Sequence, residues 1–330
     1  MYRYNWLETL TRMTMKKRFL KYFAIALTLV ALSFLFVVHY ATNTIIQFQT
    51  NTHEIDRTRI NELGLSQFLE VETDKLKRPW GTMVFDYQVG SNPCAIIFLH
   101  GHSSTRLSGQ RYASLVENLN CTRVFPDLAY HGESTAKYAG YGSYEYADVI
   151  AISEWIEEKF QIPSSKQGII GESMGAAIGV LAASKHKKPF SFLWLDSPYA
   201  DLSEMIAVRG AKMFGPVLAK ILVPSALLMA EWRGDLKFSE IAPIAALESI
   251  PTSTAIGVSH SVLDAFTPIS QSKKLVEKLD NRPHSFWWVE NLPYHARAVD
   301  RRSEGYKKAF DTFMANKTDF YSDLRTAKKR

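Results

Sequence analysis

The chain opens on one unbroken apolar run and then settles into alternation. Tyr22 to Val38 (YFAIALTLVALSFLFVV) carries no charge. With Phe19, Leu20 and His39-Tyr40-Ala41 it reaches the roughly 20 residues that span a bilayer. A buried core helix would show polar positions at helical spacing, and this run has almost none. No small-x-small cleavage site follows it, because His39 stands two residues before Ala41, and the run exceeds a usual signal h-region. The expectation is an uncleaved transmembrane anchor over 19–41, after a basic segment, 1–18. Residues 42–65, polar with scattered aliphatics, read as a membrane-proximal helix or stalk.

Beyond residue 66 the pattern becomes strand-like. Phe68–Glu72 and Thr82–Tyr87 read as early strands, with Arg78-Pro79-Trp80-Gly81 as the turn between them. Cys94–Leu99, Thr122–Phe125, Gly168–Gly171, Phe190–Leu195, Thr254–Val258 and Ser285–Val289 are further strands; the first is a continuous apolar run of the kind buried on both faces of a parallel sheet. Helical spacing over Gln110–Leu119, Ala147–Phe160, the stretch after Ser173 to about Lys185, Ser270–Leu279 and Arg302–Met314 separates them. Strands and helices alternating in this way predict an α/β fold built on a mostly parallel sheet. Residues 201–250 break the rhythm with Met-, Leu-, Ala- and Pro-rich helical segments, a helical insertion.

The candidate chemistry gathers at the strand ends. Gly171-Glu172-Ser173-Met174-Gly175 follows a short apolar strand and precedes a run of small residues, the sequence form of a nucleophile elbow. Alone it is weak: three fixed positions at roughly 7% each match by chance about once in ten chains of this length. Asp264 lies just past the next-to-last strand and His295 just past the last. A serine hydroxyl needs a base to take its proton. His295 would be that base, and Asp264 would hold its tautomer and stabilise the imidazolium. Asp196 also ends a strand and stands as an alternative acid.

In this order of motifs, Ser173, then Asp264 before Thr267-Pro268, then His295 between Pro293 and Ala296, the chain resembles the α/β-hydrolase superfamily over residues 66–316. The resemblance implies a serine hydrolase, esterase- or lipase-like, with helices on both faces of the sheet and a helical cap at 201–250. It implies an oxyanion hole from the backbone N–H groups of Met174 and of His102, which follows His100-Gly101. It makes His100, His102 and His131 turn and loop residues rather than metal ligands, so no metal or other cofactor is expected. His260 and His284 receive no role. Cys94 and Cys121 lie six residues before His100 and Asp127 respectively, at the starts of strands that are parallel neighbours in this fold, and a disulfide between them is expected.

Charge refines the address. The net charge of +6 comes from the ends: Arg3, Arg12, Lys16, Lys17, Arg18 and Lys21 near the start, Lys328, Lys329 and Arg330 in a basic tail, 317–330. The body lacks a basic stripe with interleaved aromatics, which excludes nucleic acid as the partner. The cationic segment before the apolar run belongs on the cytoplasmic side, which sends the hydrolase domain to the periplasm or another extracytoplasmic space. The expected reaction is cleavage of a small-molecule or lipid-like acyl ester, with thioesters and peptide amides open to the same three residues. A non-catalytic binding protein on this fold is the reading from another class, and the intact serine, aspartate and histidine argue against it.

Overall fold

The computed structural model describes residues 5–64, 69–279, 282–318 and 320. Arg3, Phe68 and the tail residues 321–330 lie outside the described residues. The first element is one long helix, α1 (Asn5–Ile46). Its apolar part, Lys17–Ile46, is 30 residues long, about 45 Å at 1.5 Å per residue. Side chains from Phe19 to Phe36 are exposed, whereas Val38, Ala41, Thr42 and Ile46 are buried. A short helix, α2 (His53–Glu62), follows, capped by the Thr52 hydroxyl accepting from Ile55 N–H.

Eight strands form one sheet in the order β1-β2-β4-β3-β5-β6-β7-β8. β1 (Glu72–Arg78) and β2 (Gly81–Gln88) are antiparallel to each other, and β2 is antiparallel to β4 (Thr122–Pro126). From β4 the sheet is parallel through β3 (Ala95–Leu99), β5 (Gln167–Glu172), β6 (Phe192–Asp196), β7 (Ala255–Ser261) and β8 (His284–Val289). This is the α/β-hydrolase arrangement. The strand expected at 68–72 begins only at Glu72 and runs to Arg78. As the sheet edge, β1 alternates exposed and half-buried positions, so an apolar-alternation search slides past its Lys and Asp residues.

The pleat divides the core. Ile97 and Leu99 of β3 face one layer, with Val149, Ile152 and Ile156 of α4 (Glu145–Phe160) and Ile178 of α5 (Met174–Lys185). Ile96 and Phe98 face the other, with Tyr112, Leu115, Phe310 and Phe313. That second layer is covered by α3 (Arg106–Gly109), the 3₁₀ helix Gln110–Leu119 that continues it, and α11 (Ser303–Lys317). The cap consists of α6 (Leu202–Phe214), α7 (Pro216–Gly234) and the short α8 (Pro243–Ala246); α9 (Ile269–Val276) and α10 (Ala298–Arg301) complete the helices that are named here. Cys94 and Cys121, both buried, are joined by a disulfide across the starts of β3 and β4. In the chain-entropy picture, closing that loop stabilises the fold by about 3–4 kcal/mol.

Residues 42–62, expected as a membrane-proximal helix or stalk, are helical over 42–46 and 53–62 and pack on the domain. Thr42 Oγ1 donates to Ala226 O of α7 at 3.2 Å. Phe48 stacks on His102 with ring centres 3.8 Å apart. Asn51 N–H reaches Ser103 O at 2.7 Å, and Asp56 accepts from both the N–H and the hydroxyl of Thr105 at 2.6 and 2.9 Å. The polar residues that made this segment look solvated are the ones that bond it to α7 and to the loop after β3.

Candidate active site

β5 delivers Ser173 into the turn before α5. Its φ of 51° and ψ of −111° are sparsely populated for a residue with a Cβ, a strain of roughly 1–3 kcal/mol that the surroundings must hold. Two glycines make the turn possible. A Cβ on Gly171 would lie 2.6 Å from Ala176 N, and one on Gly175 2.4 Å from Leu99 O. Ser173 N–H is fixed by Asp196 O at 2.7 Å.

The three predicted residues meet there. His295 Nε2 is 2.8 Å from Ser173 Oγ, and His295 Nδ1 is 2.6 Å from Asp264 Oδ2. Asp264 Oδ1 accepts from the N–H groups of Phe266 and Thr267 at 2.7 and 3.0 Å. Burial alone would raise the Asp264 pKa; hydrogen bonds from His260 and His295, with the charge of His295, hold it well below the usual carboxylate range. His260, without a role in the sequence reading, lies behind it: its Nε2 is 3.2 Å from Asp264 Oδ2 and 2.9 Å from Thr267 O. Both are acceptors, so Nε2 donates.

Asp196, the alternative acid, is turned away from His295. Its carboxylate accepts from Tyr112 and Tyr306 hydroxyls, each at 2.9 Å, and from Ser197 at 2.9 Å, and burial pushes its pKa up. A further residue escaped the sequence reading. Arg111, 5% exposed, donates to Glu172 at 3.1 Å, to Ala296 O at 2.8 Å and to Asp300 at 2.9–3.0 Å. It thereby ties the residue before Ser173 to the residue after His295. Nothing local marked it, since its partners lie 61 to 189 positions away.

Met174 opens α5, so its N–H has no intrahelical acceptor. His102 lies opposite, with ring Nδ1 2.8 Å from Ser103 Oγ and Nε2 3.3 Å from Tyr141 OH. Burial, then the nearby cation Arg209, push its pKa down to about 4, which leaves the ring neutral at pH 7. His100 and His131 are buried and structural: His100 Nδ1–H donates to Gly101 O at 2.8 Å while Nε2 accepts from Leu128 N–H at 3.0 Å, and His131 bonds Ala129 O at 2.9 Å. A ligand-like trio, His53, Asp127 and Glu133, surrounds the Arg106 guanidinium, which contacts all three and fills the place a cation would take.

Ser173 lines a cavity of ≈ 560 Å³. Leu202, Met205 and Ile206 of α6 and Leu222, Val223 and Ala226 of α7 form its apolar walls, and Ala41, Thr44 and Ile45 of α1 close one side. Arg209 enters from α6 with its guanidinium 3.9 Å from the Phe266 ring centre.

Fold and site together define a serine hydrolase of the α/β-hydrolase class. Residues 131–316 match the prolyl oligopeptidase family model (Peptidase_S9), and the chain belongs to that family. It is 28% identical over 231 residues to the uncharacterized protein YqkD of Bacillus subtilis, covering 69% of this chain and 73% of that one. The Pyrococcus furiosus esterase Pf2001 superposes with a TM-score of 0.61 at 20% identity, over 78% of this chain and 94% of its own. An acylaminoacyl peptidase from Pyrococcus horikoshii gives 0.57 at 13%, over 78% and 43%. At such identities the two solved structures share the fold with this chain.

Proposed function

We propose that the protein is a membrane-anchored esterase that works through Ser173, His295 and Asp264. His295 Nε2 takes the Ser173 proton as Oγ attacks the ester carbonyl. The oxyanion is held by the N–H groups of Met174 and His102; removing one such donor typically costs about 10²–10³ in rate. His295 then protonates the leaving alcohol, and water resolves the acyl-enzyme with the same base. Asp264, kept ionised by its donors, fixes Nδ1–H and stabilises the imidazolium.

The observation that carries the reading is the unbroken Ser173–His295–Asp264 chain of hydrogen bonds at the base of an apolar cavity. The apolar walls favour an acyl ester over a charged peptide. Peptide-bond cleavage is the second reading, favoured by the prolyl oligopeptidase family itself and by the acylaminoacyl peptidase likeness. We read residues 19–41, within the apolar helix Lys17–Ile46, as the anchor with its basic start cytoplasmic and residues 66–316 as the exported domain; the Cys94–Cys121 bond supports an oxidising compartment.

The test is fluorophosphonate labelling of the full-length protein in detergent, beside Ser173→Ala and His295→Ala. Labelling is expected in wild type, absent in Ser173→Ala and strongly reduced in His295→Ala, with p-nitrophenyl acyl esters cleaved faster than the matching anilides. A folded wild type that takes no label overturns the reading, and faster anilide cleavage turns it to a peptidase.

A further inference from the structure

The cap carries an apolar surface that is exposed among the described residues. Along α7, Val217, Ile221, Pro224, Leu228 and Trp232 recur at helical spacing on one face, and all five are exposed. Met213, at the end of α6, and Leu218 extend the patch around the α6–α7 turn; Val217 is 76% and Met213 63% exposed. Elsewhere on the described domain the exposed large apolar side chains include Leu263, Phe266 and Tyr294, next to Asp264 or His295 in sequence or in space. From Met205 to Ala230 there is no acidic residue, and the charges are Arg209, Lys212 and Lys220.

The placement of α1 says what covers this face. α1 packs beside α7: Thr42 is level with Ala226, and Arg233 donates to Asn43 at 2.6 Å and Gln47 at 3.0 Å. Both helices therefore rise in the same direction. Val217 and Leu218 lie eight or nine residues below Ala226, roughly 12–14 Å at 1.5 Å per residue. The same descent along α1 from Thr42 reaches Ser33–Phe34, within the uncharged run. The turn at Gly215-Pro216 is thus level with the part of α1 that reads as lying in hydrocarbon. The cavity beneath runs from Ser173 to Met213 and Phe214 beside that turn.

We propose that the tip of the α6–α7 hairpin is sunk in the leaflet where α1 emerges, so that the cavity opens toward the bilayer and takes acyl esters of membrane-resident amphiphiles. The occupant of the exposed face is lipid acyl chain. Lys220 extends from the hairpin on a flexible stem long enough to carry its ammonium to the headgroups. This rests on the reading of Ser173 as nucleophile and of α1 as anchor, and it adds the side from which substrate arrives.

The native cysteines are paired, so a single introduced thiol can be labelled. Full-length Leu218→Cys and, as a remote control, Lys188→Cys would each carry an environment-sensitive NBD dye in phosphatidylglycerol–phosphatidylethanolamine vesicles. The dye at 218 is expected to emit to the blue of the control, to be quenched by doxyl lipids and to be shielded from iodide. Combined Val217→Ser, Leu218→Ser and Ile221→Ser, none of which lines the cavity, should lower hydrolysis of a vesicle-embedded diacyl ester at least tenfold, while fluorophosphonate labelling and cleavage of a water-soluble butyrate ester stay within twofold. A dye at 218 as water-exposed as the control, or a triple variant with full activity on the embedded ester, overturns the proposal. Fluorophosphonate labelling and carbonate extraction of the same vesicles score the nucleophile and the anchor separately, so their failure is distinguishable from failure of the hairpin.

Discussion

β6 and β7 are adjacent parallel strands, paired from Phe192↔Ala255 to Asp196↔Ser259, and each leads to a buried aspartate. Asp196, at the end of β6, is surrounded by hydroxyls from Tyr112, Tyr306 and Ser197, and burial raises its pKa. Asp264, three residues beyond β7, has His260 and His295 on one oxygen and two peptide N–H groups on the other, and it is held low. Burial is common to both. The difference is that Asp264 accepts directly from the His295 imidazole and from two peptide N–H groups, whereas Asp196 accepts from phenols that bring no charge and feels the Arg111 charge only through space, without a hydrogen bond. One aspartate is suited to stabilise an imidazolium; the other secures the backbone under the nucleophile through Asp196 O.

The comparison breaks most sharply at the acids themselves. Asp264→Asn should lower kcat by about 10⁴, the order of loss when a relay acid can no longer hold its histidine tautomer, whereas Asp196→Asn should stay within about tenfold, measured on a soluble short-chain ester. The reverse order would move the acid to Asp196. A smaller effect is expected at the tie between the two loops. Arg111→Lys cannot reproduce the forked contacts to Glu172, Asp300 and Ala296, and misplacing His295 by about 1 Å should cost roughly 10²-fold in kcat with the three reacting residues intact. An unchanged kcat would make Arg111 a packing residue only.

The smallest effect is in stability against pH, where the two aspartates have opposite signs. Asp264, depressed when folded, contributes stability that is fully present above its unfolded value near 3.8 and is lost as pH falls toward its folded value. Asp196, raised when folded, binds more protons native than unfolded, so its contribution declines as pH rises through 3.8. Urea unfolding between pH 3 and 7 should show the gap between wild type and Asp264→Asn widening with pH from the acid end. The gap between wild type and Asp196→Asn should move the other way. His102, pushed down to about 4, lowers stability as pH falls from 6.5, but it does so in all three proteins and cancels in the differences. Parallel curves would contradict the assigned partners.

What was legible in the sequence follows from range. The β5 turn, the α5 start and the apolar strands are set by residues within a few positions of one another, so Gly171, Ser173 and Gly175 could be read directly. Asp264 and His295 stood out because each follows the carboxyl end of a strand, β7 and β8. Arg111 and His260 could not be read in this way: a buried arginine in a 3₁₀ turn has the same local pattern as an exposed one until its distant carboxylates arrive. The segment after the apolar run is opaque for the same reason, since Thr42, Asn51 and Asp56 look like solvated residues until α7 and the loop after β3 are laid against them. β1 was misplaced because an edge strand with one half-covered face has little need of apolar residues.

The end of α1 has a consequence for maturation. Ala41, Thr44 and Ile45 belong both to the helix that carries the apolar run and to the wall around Ser173. A cut just beyond Val38 would leave Thr44 and Ile45 on the remaining chain but remove the helical turns that lead into them, loosening one wall of the cavity. The shape of the cavity would then change with Ser173, His295 and Asp264 all intact.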